Sequence, residues 1–200
     1  HNVINLLHKE FGDTGKIPTK AKIAKVIEEH FYLRYASDTV TERLKVGAMK
    51  SLTKYVQMWE KDFSLSVKTE RPFELEFDNA LIAGSIDMIK REDGNETVLE
   101  VIDFKTGKAD NDLMHRYELQ VQLYTIAAQE ALGINTQKAL IHFIDTDKNE
   151  RLAVQTSPAA LETAKEELSY AIQGITGATF KRDARQDKIC KSCDWCTMCP

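Results

Sequence analysis

Several features are missing from this sequence, and each absence narrows the reading. No apolar run reaches the roughly 18–20 residues that a membrane-spanning helix needs, and these residues contain no secretory signal. No Gly-x-Gly-x-x-Gly and no Walker-type phosphate loop occurs, which argues against a dinucleotide or P-loop fold. No cysteine precedes Cys190, so the body of the chain carries no disulfide framework. Internal repeats and low-complexity tracts are lacking. Neither sign of charge dominates: 27 Lys and Arg stand against 31 Asp and Glu, a net charge of −4. This balance is weak evidence against a surface basic all over, and it does not exclude a local patch that binds phosphate.

What is present suits one domain, or one domain with an appendage: 200 residues, of which 42% are hydrophobic, enough for an ordinary buried core. The chain begins with His1 rather than Met, from which we expect a fragment of a longer protein. The first third reads helical. Val3, Ile4, Leu7 and Phe11 recur at helical spacing up to Gly12 and Gly15. Pro18 is expected to open a second helix carrying Ile23, Val26, Ile27 and Phe31. A third is expected from Thr41 to Trp59.

The pattern changes near Ser64. Phe73, Leu75 and Phe77 alternate with charged residues, the period of a half-buried strand. Asp78-Asn79 and Asp93-Gly94-Asn95 are turn signals. They bound strands expected over Leu81 to Lys90 and Val98 to Phe104. A helix from Leu113 to Leu132 closes at Gly133, and Ala139 to Ile144 is short enough for a buried strand. Arg151 to Gln155 can pair with that strand, and Ser157-Pro158 caps a last helix through Ile172. The expected architecture is an α/β sandwich around a mixed sheet flanked by helices. We divide it into a helical part at 1–63, a core at 64–180, and a tail at 181–200.

The chemistry concentrates between Gly84 and Tyr124. Asp87 lies on one expected strand and Asp103 and Lys105 on the next. Residues two apart on a strand share a face, so Asp103 and Lys105 point together and Phe104 points into the opposite layer. Carboxylate oxygens grouped in this way suit a hard divalent cation, Mg²⁺ or Mn²⁺. Such a site can activate water and stabilise charge on phosphate oxygens, with Lys105 orienting the nucleophile and stabilising the transition state. Alone, an Asp-x-Lys is usually a solvated strand end. Gln120 and Tyr124 lie one helical turn apart on one face. Glu74, Glu76 and Glu100 read as solvent-facing strand acids, with Glu74 or Glu76 as possible additional acids near the site. His30 and His142 read as ordinary core or surface histidines.

Gly84-Ser85-Ile86-Asp87, Val101-Ile102-Asp103-Phe104-Lys105-Thr106-Gly107 and Gln120-x-x-x-Tyr124 together closely resemble the RecB-like branch of the PD-(D/E)XK nuclease superfamily. Phe104 stands where that branch usually has Tyr. The resemblance implies a restriction-endonuclease-like core and metal ligation by Asp87, Asp103 and the backbone carbonyl of Phe104. It further implies a catalytic Lys105, with Gln120 and Tyr124 meeting DNA phosphate or organising the site. A metal-binding histidine on an early helix is also implied. His1 matches it, with a frayed terminus as the alternative, and His8 is a weaker candidate.

The tail reads Cys190-x-x-Cys193-x-x-Cys196-x-x-Cys199-Pro200. Thiolates at this spacing can converge on an iron–sulfur cluster or on zinc. Many members of the branch end similarly, which favours 4Fe–4S. The fourth ligand is then either Cys196 or a cysteine upstream of His1. The resemblance implies a DNA exonuclease acting on single strands or ends, coupled to an upstream helicase in repair or recombination. The expected location is the prokaryotic cytoplasm, at the nucleoid. Lys105, Lys108, Arg116 and the basic residues Lys181, Arg182, Arg185, Lys188 and Lys191 are expected phosphate contacts. A non-catalytic DNA-binding scaffold and a purely metal-binding protein are the rival readings.

Overall fold

Five strands pair side by side in the order β1-β2-β3-β4-β5 in a computed structural model that describes residues 1–107 and 111–179. They are β1 (Ser66–Phe77), β2 (Ala80–Glu92), β3 (Asn95–Lys105), β4 (Thr136–Phe143) and β5 (Arg151–Val154). The first two hairpins follow from their turns. Asp78 and Asn79 both take positive φ, the requirement of a two-residue hairpin loop, and Gly94 does so at the next turn. β3 and β4 run parallel, joined through helix α5 (Asn111–Glu130), and β4 and β5 are again antiparallel. The mixed sheet flanked by helices is the restriction-endonuclease-like architecture expected.

Strand alternation sorts the core into two layers. Phe73, Leu75, Val101, Ile141 and Phe143 pack against α5 and α6 (Pro158–Thr176) on one face. On the other, Met88, Ile102 and Phe104 pack against α1 (Asn2–Thr14), α2 (Lys20–His30), α3 (Asp38–Met58) and α4 (Lys61–Leu65). Each fully buried aliphatic or aromatic side chain contributes about 1.5–3 kcal/mol. The expected ends shift in places. Pro18 does not open α2; Thr19 follows it and accepts from the Lys22 N–H as the N-cap. α3 starts before Thr41 because Ser37 caps it, accepting from Val40. The short α4 was not expected.

Glu100 requires a correction, because it is buried rather than solvent-facing. It stands opposite Lys90 across β2 and β3, and its carboxylate lies 3.0 Å from the Lys90 ammonium. Lys90 is also 3.4 Å from Asp62, which binds Arg151. The Arg151 guanidinium stacks 3.6 Å from the Trp59 ring centroid and donates from Nε to His142 Nδ1. His142 therefore carries its proton on Nε2, which donates to Asn149 Oδ1 at 2.7 Å. This network joins α3, α4, β2, β3, β4 and β5 beneath the helical layer.

Burial, reinforced by Arg151, pushes the His142 pKa down to about 3, and burial pushes His8 down to about 4. In the unfolded chain both return to about 6.5 and bind protons first. The stability they allow is therefore complete above about pH 6.5. It falls as pH drops, by about 1.4 kcal/mol per unit for each histidine, until the folded groups titrate. The urea midpoint is predicted to drop between about pH 7 and about pH 5. An unchanged midpoint would contradict the assigned burial of these rings.

Candidate active site

β2 and β3 are zipped from the Asn95 end up to the pair Met88–Ile102, where the backbone ladder ends. One residue further along β2, the Asp87 side chain takes the place of a backbone acceptor. Its Oδ2 accepts the Phe104 N–H at 2.8 Å. A side chain can substitute in this way only where the strands part, so the same contact satisfies a buried N–H and fixes the carboxylate at the fork. Asp87 Oδ1 is then left facing the amino terminus of α1, where His1 Nδ1 lies 3.3 Å away. The hydrogen bond to Asp87 raises the His1 pKa, with the Asp103 and Glu70 charges adding and burial opposing.

Asp103 lies one strand over and is completely buried. Lys105 Nζ is 2.8 Å from its Oδ2, as the shared strand face requires. Beyond this ion pair, neither buried carboxylate oxygen finds a hydrogen-bond donor. Burial pushes the Asp103 pKa up to about 6; Lys105 opposes the shift and Asp87 adds to it. An ionised carboxylate in this position relies on the Lys105 ammonium and keeps oxygen lone pairs for a further cation.

Helix α5 completes the arrangement. Lys105 Nζ donates to Gln120 Oε1 at 2.6 Å, and Gln120 Nε2 donates to the Tyr124 hydroxyl at 2.9 Å. The one-turn spacing of Gln120 and Tyr124 thus serves to aim the lysine. Lys105 also sits 4.9 Å from the Tyr117 ring centroid, a cation–π contact. Burial pushes the Tyr124 pKa up to about 12, so its hydroxyl keeps its proton. Its ring packs edge-on against Phe73, which in turn presses on Gly84. A Cβ at Gly84 would lie 2.8 Å from Phe73 Cζ. Gly84 therefore lets the aromatic pair seat beneath Gln120.

One acid at the site had no motif to announce it. Glu70 on β1 stands opposite Asp87, because Thr69 pairs with Met88 and Arg71 with Ile86. Ligand atoms of His1, Glu70 and Asp87 all lie within 4.8 Å of one another. Ser85 donates to Glu70 Oε2 at 3.2 Å, and Glu70 adopts φ 47°, an uncommon conformation for a side-chain-bearing residue. Such strain is concentrated at functional sites. Only strand register could have identified Glu70; Glu74 and Glu76, the acids weighed from sequence, are exposed further along β1.

The other candidates lie elsewhere or beyond view. His8 stacks on Phe63 and bonds to the Tyr55 hydroxyl within the helical layer. His30 and Arg116 are exposed, and His142 belongs to the core network. Lys108, the basic residues from Lys181 to Lys191, and Cys190, Cys193, Cys196 and Cys199 lie outside the described residues. Among the described residues, the donor atoms that converge are those of His1, Glu70 and Asp87, oxygens with one imidazole that fit a hard divalent cation; Asp103 lies outside that group, beside Lys105.

A family model described as the PD-(D/E)XK nuclease superfamily matches residues 1–200. A candidate exonuclease from Eubacterium rectale superposes with a TM-score of 0.55 at 12% identity, over 97% of this chain and 73% of that one. The protein SSO0001 does so with a TM-score of 0.50 at 20% identity, over 99% and 84%. At these identities the structural likeness concerns the fold. Comparison with curated proteins returned no match.

Two outcomes follow from the geometry. Asp103→Asn removes a buried charge whose pKa rises on folding, so the native state binds more protons than the unfolded one between about pH 4 and pH 6. That carboxylate lowers stability above this window, and below it offsets part of the histidine effect. In chelator at about pH 7.5, Asp103→Asn is predicted to raise unfolding free energy by up to about 3 kcal/mol. A destabilised Asp103→Asn would mean that Lys105 already satisfies the charge. Gly84→Ala is predicted to destabilise by about 1–3 kcal/mol in urea unfolding, through the clash with Phe73; no loss would show that Phe73 yields freely.

Proposed function

Because the chain belongs to the PD-(D/E)XK nuclease superfamily, we propose that it is a divalent-metal-dependent deoxyribonuclease of the RecB-like type. It hydrolyses phosphodiester bonds in single strands or at DNA ends, as the nuclease of a repair or recombination helicase–nuclease. The observation that carries the reading is the gathering of Asp87, Asp103 and Lys105 at the fork of β2 and β3, with Lys105 2.8 Å from Asp103 and the donor atoms of His1 and Glu70 converging on Asp87.

Asp87 and Asp103, with His1 and the Phe104 carbonyl, are the proposed holders of Mg²⁺ or Mn²⁺, and Glu70 joins them on the His1 side. When bound, such an ion neutralises phosphate charge and lowers the pKa of nearby water. The chain's own residues do the rest. Asp87 is held by the Phe104 N–H and cannot swing away. Lys105 directs one N–H to Gln120 and sits beside Asp103, which leaves its ammonium placed to donate to the attacking water or to a non-bridging phosphate oxygen. Tyr124 keeps its proton and anchors Gln120, so the lysine is preorganised rather than recruited. Water oxygen bonds to phosphorus, the bond to the departing sugar oxygen breaks, and that oxygen takes up a proton.

The four cysteines Cys190, Cys193, Cys196 and Cys199 we assign to a structural 4Fe–4S cluster, with zinc as the alternative occupant. Iron and zinc analysis of the full chain, with its visible absorbance, separates the two.

The deciding assay follows digestion of end-labelled single-stranded DNA with Mg²⁺ or Mn²⁺. Wild type is expected to cleave and to stop when chelator is added. Lys105→Ala is expected to lose about 10²-fold or more of the rate while remaining folded. Equal, negligible digestion by wild type and Lys105→Ala would favour a non-catalytic DNA-binding module of the same fold.

A further inference from the structure

The connection between α2 and α3 exposes two aromatic rings that the carboxylate site does not use. Tyr32 is 81% exposed and Tyr35 90%, with Arg34 between them, its guanidinium 5.5 Å from the Tyr35 ring centroid. Immediately before them, Phe31 enters the wall of a 700 Å³ cleft. The cleft is continuous with the catalytic fork. It shares His1 with the carboxylate cluster, and it takes in Thr106 and Gly107, the residues that follow Lys105.

The rest of its wall is largely apolar, from Ile4, Leu44, Leu52 and Ile144, with one carboxylate, that of Asp145, which accepts the Gly107 N–H at 2.7 Å. Where α3 faces it, the side chains are small: Gly47, Ala48 and Ser51. Gly47 lies inside a 21-residue helix, where glycine is disfavoured relative to alanine. No atom lies within 4 Å of the position its Cβ would take. Internal packing therefore does not demand the glycine, and its effect is to keep the wall open. Lys50 is exposed on the same wall, and with Lys20 and Lys54 it also lines the adjoining groove along α3.

We propose that this cleft and the Tyr32–Tyr35 loop hold unpaired nucleotides of the substrate strand next to the scissile phosphate. Bases lie against the apolar wall and stack on the tyrosine rings, and phosphates face Lys50 and Arg34. The proposal rests on the nuclease reading and deepens it. Duplex DNA presents phosphates outward and hides its base faces, so an apolar slot edged by a few cations offers it little. An unpaired strand exposes a π-face at every base, which exposed aromatic rings bind without regard to sequence. Such a site would make unpaired strands the preferred substrate through binding rather than through the chemistry.

The test measures anisotropy of a labelled oligothymidylate and of a blunt duplex, with Ca²⁺ in place of Mg²⁺. The proteins are wild type, Tyr32→Ala/Tyr35→Ala, Tyr32→Phe/Tyr35→Phe and Gly47→Leu. Gly47→Leu fills the cleft while improving the helix, so loss of fold does not confound it; its melting temperature should not fall. We expect the alanine pair and Gly47→Leu each to weaken oligothymidylate binding about tenfold, the phenylalanine pair to retain it, and duplex binding to change little. Unchanged oligothymidylate binding in the alanine pair and Gly47→Leu would overturn the proposal and leave the nuclease reading intact. Equal loss for duplex would reduce the face to a general phosphate surface and also overturn it. A wild-type dimer that the alanine pair dissociates, seen by sedimentation, would give the face to a second copy instead. If wild type neither binds nor cleaves any DNA, both readings fall together.

Discussion

A buried carboxylate with a single ammonium beside it is the constraint on which the site depends. Asp103 is fully enclosed, and the ammonium 2.8 Å from it, that of Lys105, is shared with Gln120. Desolvating an ionised carboxylate is unfavourable, and burial pushes the Asp103 pKa up to about 6 against the pull of Lys105. The contrast lies one layer away. Asp62 is as deeply buried, yet it has Arg151 and Lys90 beside it. The chain thus gives two cations to the buried acid of the core network and one shared ammonium to the acid at the fork of the sheet.

The fold produces this fork through a single exchange of partners. Up to Met88 and Ile102 the two central strands bond backbone to backbone; beyond that pair the Asp87 side chain takes over the Phe104 N–H. The space opened is closed from above by the start of α1, from the side by Glu70 on β1, and from below by α5. Phe104 meanwhile anchors the fork by packing edge-on against Tyr55 in the helical layer. The acids, the lysine and its Gln120–Tyr124 support are therefore held by a rigid sheet and one helix rather than by loops, which suits a site that acts by preorganisation.

Much of this was legible in the residues. The order of helices and strands followed from apolar periodicity and turn chemistry, and the alternation in β3 correctly set Asp103 and Lys105 on one face with Phe104 on the other. The i, i+4 spacing of Gln120 and Tyr124 placed them together. What sequence could not supply was register. Glu70 enters the site only because β1 is aligned so that it meets Asp87, whereas Glu74 and Glu76 sit in a more regular alternating pattern yet face solvent. Glu100 looked like a wet-face acid because a buried ion pair leaves no trace in hydrophobic periodicity; its partner Lys90 is ten positions away in the chain and opposite only after the hairpin forms. The role of Gly84 was likewise hidden, since it depends on how close the Phe73 ring comes.

The most direct measurement is an anomalous-difference map from crystals of the full chain equilibrated with Mn²⁺. The account predicts a peak at the β2–β3 fork, within about 2.0–2.3 Å of carboxylate oxygens from both Asp87 and Asp103. A map in which Mn²⁺ binds elsewhere, or in which Lys105 turns to hydrogen-bond Asp103 and no ion enters, would contradict it.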